Sequence, residues 1–145
     1  MAIERSQKPS PQREMDELNE NEIRALIEKW ARAVREENRA GIRADHDPAI
    51  LMFDVPPPFS SRGLDAYMAT WELFFACAEK PVAFDFDDVQ ITAGNDVAFA
   101  TATGRCVDLD PQGKRAELKF RLTMCLRKLD GRWCVVHEHH SIPAI

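Results

Sequence analysis

Two long runs of alternating character, residues 114–129 and 132–142, are separated only by Asp130-Gly131. An Asp-Gly pair between two such runs is the strongest short-range signal for an antiparallel hairpin, because its turn needs positive φ at both central residues. The turn also implies a register. With Asp130 and Gly131 as the two loop residues, Leu129 lies opposite Arg132. Counting outward sets Thr123 against Glu138 and Arg121 against His140. Successive residues of a strand point to opposite faces. Leu122, Met124, His137 and His139 are therefore expected on one side of the sheet, with Arg121, Thr123, Glu138 and His140 on the other. Phe120, Leu126 and Val135 extend the apolar side.

The rest of the chain supplies helices first and strands afterwards. Residues 1–18 are polar and proline-bearing and read as a flexible N-terminal arm. Asn19 is the expected helix cap, with Glu22 three positions on. Ile23, Leu26, Ile27, Trp30 and Val34 then recur at helical spacing as one apolar stripe. A short second helix is expected over residues 42–47, followed by an apolar run over 50–55 that Pro56-Pro57-Pro58 stops. Residues 63–80 carry Leu64, Tyr67, Met68, Trp71, Phe74 and Phe75 at three-four spacing, a further helix ended by Pro81. From residue 82 the pattern alternates, broken by turn clusters at 93–96, 110–113 and 130–131, which predicts a four-strand antiparallel meander. Helices followed by hairpins indicate an α+β domain, here over residues 19–145, with helices packed on one face of a curved sheet.

Size and charge narrow the function classes. A chain of 145 residues is one domain able to bury roughly two-thirds of its unfolded surface. A formal net charge of −5 and the scatter of Lys and Arg give no pull toward nucleic acid or an anionic membrane. No apolar run reaches spanning length and the polar N-terminus lacks a signal-peptide core, so a cytoplasmic protein is expected. Cys77, Cys106, Cys125 and Cys134 show no Cys-x-x-Cys spacing and read as reduced core residues. No glycine-rich nucleotide loop and no nucleophile triad is recognisable, and no cofactor is expected.

Trp30-Ala31 on the first helix, Phe53-Asp54-Val55-Pro56-Pro57 after the apolar strand, and the Gly63-led helix form one ordered pattern with the meander. So do Arg121-Leu122-Thr123, Asp130-Gly131-Arg132-Trp133, and His137-Glu138-His139-His140-Ser141-Ile142-Pro143. Over residues 19–143 the chain resembles the SnoaL-like, ketosteroid-isomerase-like group of the nuclear-transport-factor-two-like superfamily. The resemblance implies a cystatin-like cone, a bent antiparallel sheet wrapped around helices. It does not fix an activity, since this fold hosts isomerases, cyclases, dehydratases and binding domains. The last segment also resembles the association domain of calmodulin-dependent kinase, an assembly module.

Within that frame Asp54 falls on the position of the isomerase's proton-shuttling base; it is also placed to cap the turn beside Pro56. Trp30 and Trp71 stand where the isomerase pattern has tyrosines. An indole N–H donates one hydrogen bond but cannot pass a proton on, so both are expected, with Tyr67, as cavity wall. The resemblance implies that the polar hairpin face lines the cavity. Arg121, Thr123 and Arg105 would then hold an anionic or carbonyl-bearing ligand, and Glu138 would orient His140 as an acid–base group. The alternative is a solvated polar face. On the first reading the apolar face lies outside and joins two subunits. His137 and His139 are two residues apart with no third ligand evident, and no metal is expected. Two functions stand side by side: an acid–base enzyme acting on a carbonyl compound, and a non-catalytic ligand-binding or assembly module.

Overall fold

The computed structural model describes residues 8–144; the first part of the expected arm, residues 1–7, lies outside them. Helix α1 spans Pro11–Arg35, so it starts eight residues before Asn19. Ser10 caps it by accepting the Arg13 backbone N–H, and Pro11 occupies the first turn, where its missing N–H costs nothing. The early turns are polar and exposed, which is why their helicity carried no apolar period. Asn19 is not a cap. It is fully buried, donating to the Gly94 carbonyl (3.2 Å) and accepting from Lys128 Nζ (3.1 Å) and Trp133 Nε1 (3.4 Å). The stripe from Ile23 to Val34 is buried as expected.

The short helix α2 is Arg39–Arg43, capped by the Asn38 side chain on Gly41 N–H, rather than residues 42–47. The displacement frees His46 to open strand β1, His46–Phe53. Strand β2, Ser61–Arg62, is followed by helix α3, Leu64–Cys77. The meander is β3 (Phe84–Ala93), β4 (Val97–Leu109), β5 (Arg115–Leu129) and β6 (Arg132–Ser141), within one sheet of order β2-β1-β6-β5-β4-β3. Only β1 and β6 run parallel. Helix α1 packs toward β3 and α3 toward β1, so both helices occupy the same face of the six-stranded sheet. No helix of the described residues is long and apolar enough to cross a membrane.

The hairpin turn forms as expected, with φ of 50° at Asp130 and 77° at Gly131. Leu129 pairs with Arg132, and the register holds as far as Leu126 with Val135. The next pair is Cys125 with His137, leaving Val136 as the extra residue of a β-bulge. From there every side chain of β6 faces the other way relative to β5. Met124 now pairs with Glu138, Leu122 with His140, Thr123 with His139 and Arg121 with Ser141. The expected gathering of Arg121, Thr123, Glu138 and His140 on one face is therefore split in two. The apolar face is also not the outside of the sheet. Phe120, Leu122, Met124, Leu126 and Val135 are buried beneath the helices, together with Glu138 and His140.

Candidate functional site

The inner face of β6 carries a glutamate where the flanking strands offer methionines. Glu138 pairs in register with Met52 on β1 and Met124 on β5, and it is fully buried. A buried carboxylate is tolerated only if its oxygens are paired. His46 Nε2 lies 2.7 Å from Glu138 Oε1, and the Tyr67 hydroxyl donates to the same oxygen at 2.8 Å. His46 Nδ1 is 2.8 Å from the Ala44 carbonyl, which can only accept. With an acceptor at each ring nitrogen, His46 is read as an imidazolium facing an ionised Glu138. The acid–base balance agrees. Burial favours the neutral forms, but the imidazoles of His140 and His46 on either side hold the Glu138 carboxyl down to about 2. Burial likewise works against a charged His46, and the hydrogen bond and charge of Glu138 outweigh it, raising the imidazole above its ordinary value. Burial and the Glu138 charge push the Tyr67 phenol well up, so it stays a donor.

The second oxygen of Glu138 faces His140, whose Nε2 is 3.4 Å away, too poorly aligned for a formed hydrogen bond. On its other side His140 Nδ1 lies 3.7 Å from Asp54 Oδ1. The imidazole is also boxed by aromatic rings. Phe120 stacks on it at 5.6 Å between centroids, while Trp30 and Trp71 meet it edge-on at 6.4 and 6.2 Å. Phe120 can lie there because Gly104 is its cross-strand partner; a Cβ at that position would fall inside the Phe120 ring. The indole N–H groups of Trp30 and Trp71 are buried without hydrogen-bond partners.

Asp54 and His140 lie on the wall of a cavity of about 490 Å³ running along α3. Trp71, Phe74, Phe84 and Phe120 form its apolar sides, and Asp108 and Cys106 of β4 lie on it as well. Asp54 follows the end of β1, and one of its oxygens accepts the Val55 backbone N–H at 2.8 Å. Asp54 thus caps its own turn and borders the cavity.

The remaining expected site residues are placed differently. Arg121 is exposed on the outer face and donates to Ser141 Oγ at 3.0 Å; Thr123 is exposed beside His139. Arg105 is also outside, paired with Asp87 at 3.0 Å. These three do share a face, but it is the one the helices leave uncovered, and among the described residues no arginine or lysine lines the cavity. Trp71 is cavity wall; Trp30 and Tyr67 lie behind the wall in the buried network. His137 and His139 flank Phe53 on the outer side, with His137 Nδ1 bonded to the Leu51 carbonyl (2.7 Å). Among the described residues no group of three or more His, Cys, Asp or Glu is arranged to hold a metal.

His46 was invisible as a site residue. It sat in a stretch that read as helix, and its partnership with Glu138 depends on the parallel pairing of β1 with β6, for which the sequence has no local signal. The bulge at Val136 left no trace either. A regular count and a bulged count differ by one residue, and only packing chooses between them.

Comparison with known proteins fits this arrangement. The family model for the SnoaL-like domain matches residues 23–145. A nuclear-transport-factor-two-like protein of unknown function from Pseudomonas putida is 34% identical, with 89% of each chain covered and a TM-score of 0.78. A ketosteroid isomerase-like protein from Erwinia carotovora is 16% identical, over 88% of this chain and 98% of its own, at a TM-score of 0.73. An uncharacterised protein with a cystatin-like fold from Caulobacter vibrioides is 20% identical, over 86% and 89%, also at 0.73. No curated protein matches the chain.

Proposed function

From the premise that this chain belongs to the SnoaL-like domain family, we propose that it binds a small, largely apolar carbonyl compound and moves a proton on it. The observation that carries this reading is His140, held between Glu138 and Asp54 on the wall of an aromatic-lined cavity. In this chemistry Asp54 takes the proton from the carbon next to the carbonyl, and the electron pair shifts onto the carbonyl oxygen. A ring N–H of His140 stabilises that oxygen, and Glu138 fixes the imidazole's orientation. In an unsaturated compound, return of that proton from Asp54 to the far carbon of the conjugated enolate isomerises it; in a β-hydroxy compound the hydroxyl takes the proton from Asp54 and leaves as water. The absence of a cationic side chain on the cavity wall favours a neutral carbonyl over an anion. The ketosteroid isomerase-like neighbour shares only the fold, so the reading rests on the site itself.

The Val55 N–H on Asp54 favours a second reading, a ligand-binding or assembly module in which that carboxylate is a turn cap. One experiment separates them. Cyclic enones and aryl ketones are screened by thermal shift, and hits are followed for α-proton exchange in D2O by NMR. Exchange that falls about 100-fold or more in Asp54→Asn supports the enzyme. Stabilisation by a ligand with no exchange above the background rate leaves the module. Homodimerisation through the outer sheet face stays part of the proposal, on a changed set of side chains: Phe99 and the Phe53–His137–His139 cluster. Sedimentation of wild type beside Phe99→Glu checks it; a dimer that the charge does not weaken would place the contact elsewhere.

A further inference from the structure

The cavity has a second polar end that the proton chemistry does not use. Asp108 stands near the end of β4, and its backbone is locked to the C-cap of α3 by an isolated bridge to Ala78. It shares the inner face of β4 with Cys106, two residues before it, and both line the cavity. One oxygen of Asp108 is buried with no hydrogen-bond partner. An unpaired buried carboxylate oxygen is costly even before charge is counted. Burial answers part of that cost by pushing the carboxyl up from its ordinary value. It also pushes the Cys106 thiol up to about 11, with the Asp108 charge adding to it, so Cys106 stays a neutral thiol beside the carboxyl.

Helix α3 measures how far this end lies from the other. Trp71 abuts His140, and Ala78, seven residues on, bridges Asp108. At 1.5 Å of rise per residue, Trp71 and the C-terminal end of α3 are about 10 Å apart along the helix, so the two polar groups stand at different ends of the cavity. Trp71, Phe74 and Phe84 fill the interval with rings. The cavity is therefore polar at both ends and aromatic between them.

Resting on the carbonyl reading of the His140 end, we propose that Asp108 is the distal anchor of this cavity. It selects an elongated, flat, apolar ligand carrying a hydroxyl or amino donor at the end far from its carbonyl. The donor satisfies the orphan oxygen, and a ligand lacking it leaves that oxygen unpaired. Sites built to receive a hydrogen bond discriminate in this way against analogues that cannot supply it.

The test uses three probes that differ only at the far end: 4-acetylbiphenyl, its 4′-hydroxy derivative and its 4′-methoxy derivative. Dissociation constants are measured by calorimetry on wild type, Asp108→Leu, Asp108→Asn and His140→Phe, each checked for a native melting transition. The hydroxy probe is expected to bind wild type roughly tenfold tighter than the parent, with no gain from methoxy, which cannot donate. Asp108→Leu is expected to abolish the preference, and Asp108→Asn, which keeps an acceptor oxygen, to retain part of it. Equal affinity of the three probes for wild type, with binding still weakened by His140→Phe, would overturn the distal anchor and leave the cavity reading standing. Failure of all three to bind would overturn both.

Discussion

The two faces of the β5–β6 hairpin both carry polar groups and treat them in opposite ways. Inside, Glu138 and His140 are buried among Met52, Met124 and aromatic rings, and Glu138 draws its close partner, His46, from a different strand. Outside, Arg121, Thr123 and His139 are exposed, and Arg121 reaches only Ser141, its partner across the ladder. The same residue types therefore have different energetic weight. On the inner face a polar group specifies the fold, because it is tolerated only if His46, Tyr67 and His140 arrive with it. On the outer face water is an adequate partner, so the arrangement is loosely determined.

Breaking the buried pair is the most severe way to test this comparison. His46→Leu leaves Glu138 charged and short of a partner, and is expected to cost about 3–5 kcal/mol in urea unfolding. The pair also writes a pH signature. Glu138 is ordinarily near 4.5 and is held to about 2 in the fold, so its stabilisation is present above 4.5 and is lost as the pH falls through 2. His46 is raised above 6.5, so its stabilisation is present below 6.5 and is lost as the pH rises through the folded-state value. Stability is therefore expected to be greatest between these two limits and to decline on both sides. Thermal melts of wild type and Glu138→Gln across this range check it, and both limbs should flatten in the variant. Limbs unchanged by Glu138→Gln would assign the pH dependence to other groups.

Much of this architecture was legible because it rests on local rules. The stripe from Ile23 to Val34, the turn at Asp130-Gly131 and the meander follow from period and turn chemistry that each segment carries by itself. The ends of α1 and α2 were displaced because capping by Ser10 and Asn38 competes with apolar periodicity as a boundary signal, and here capping won. The site was legible only in part. Asp54, Glu138 and His140 do come together beside the cavity. Arg121 and Thr123 do not join them, because a single unpaired residue in β6 reverses which side chains meet. His46 and Asp108 gain their roles from non-local contacts, a parallel strand pair and a strand-to-helix bridge, and no window of sequence contains both partners.

A finer probe acts on the inner face without touching a charge. Gly104 sits opposite Phe120, and a methyl group there would overlap the ring that stacks on His140. Gly104→Ala must displace either the ring or the strand, an overpacking cost of about 1–3 kcal/mol. Because Phe120 is shared between core and cavity wall, ligand-induced thermal shifts should shrink along with the melting temperature. A variant that melts lower yet keeps the full ligand shift would show that the Phe120–His140 stack is structural and plays no part in the cavity.

The smallest expected effect is the most direct test of which face is which. Arg121 was the first candidate for a ligand anchor, and had it lined the cavity its removal would abolish binding. Its guanidinium instead lies in water, bonded to one hydroxyl across the ladder. Arg121→Ala is expected to change unfolding free energy by less than about 0.5 kcal/mol, as surface substitutions do. The affinity of any cavity ligand should stay within twofold. Ligand binding that disappears in this variant while stability is unchanged would mean that the outer face, with Thr123 and Arg105 beside Arg121, is a binding surface in its own right. The inner network would then be a structural device for closing the cone: four polar side chains that fix the register of β1, β6 and α3 without meeting a ligand.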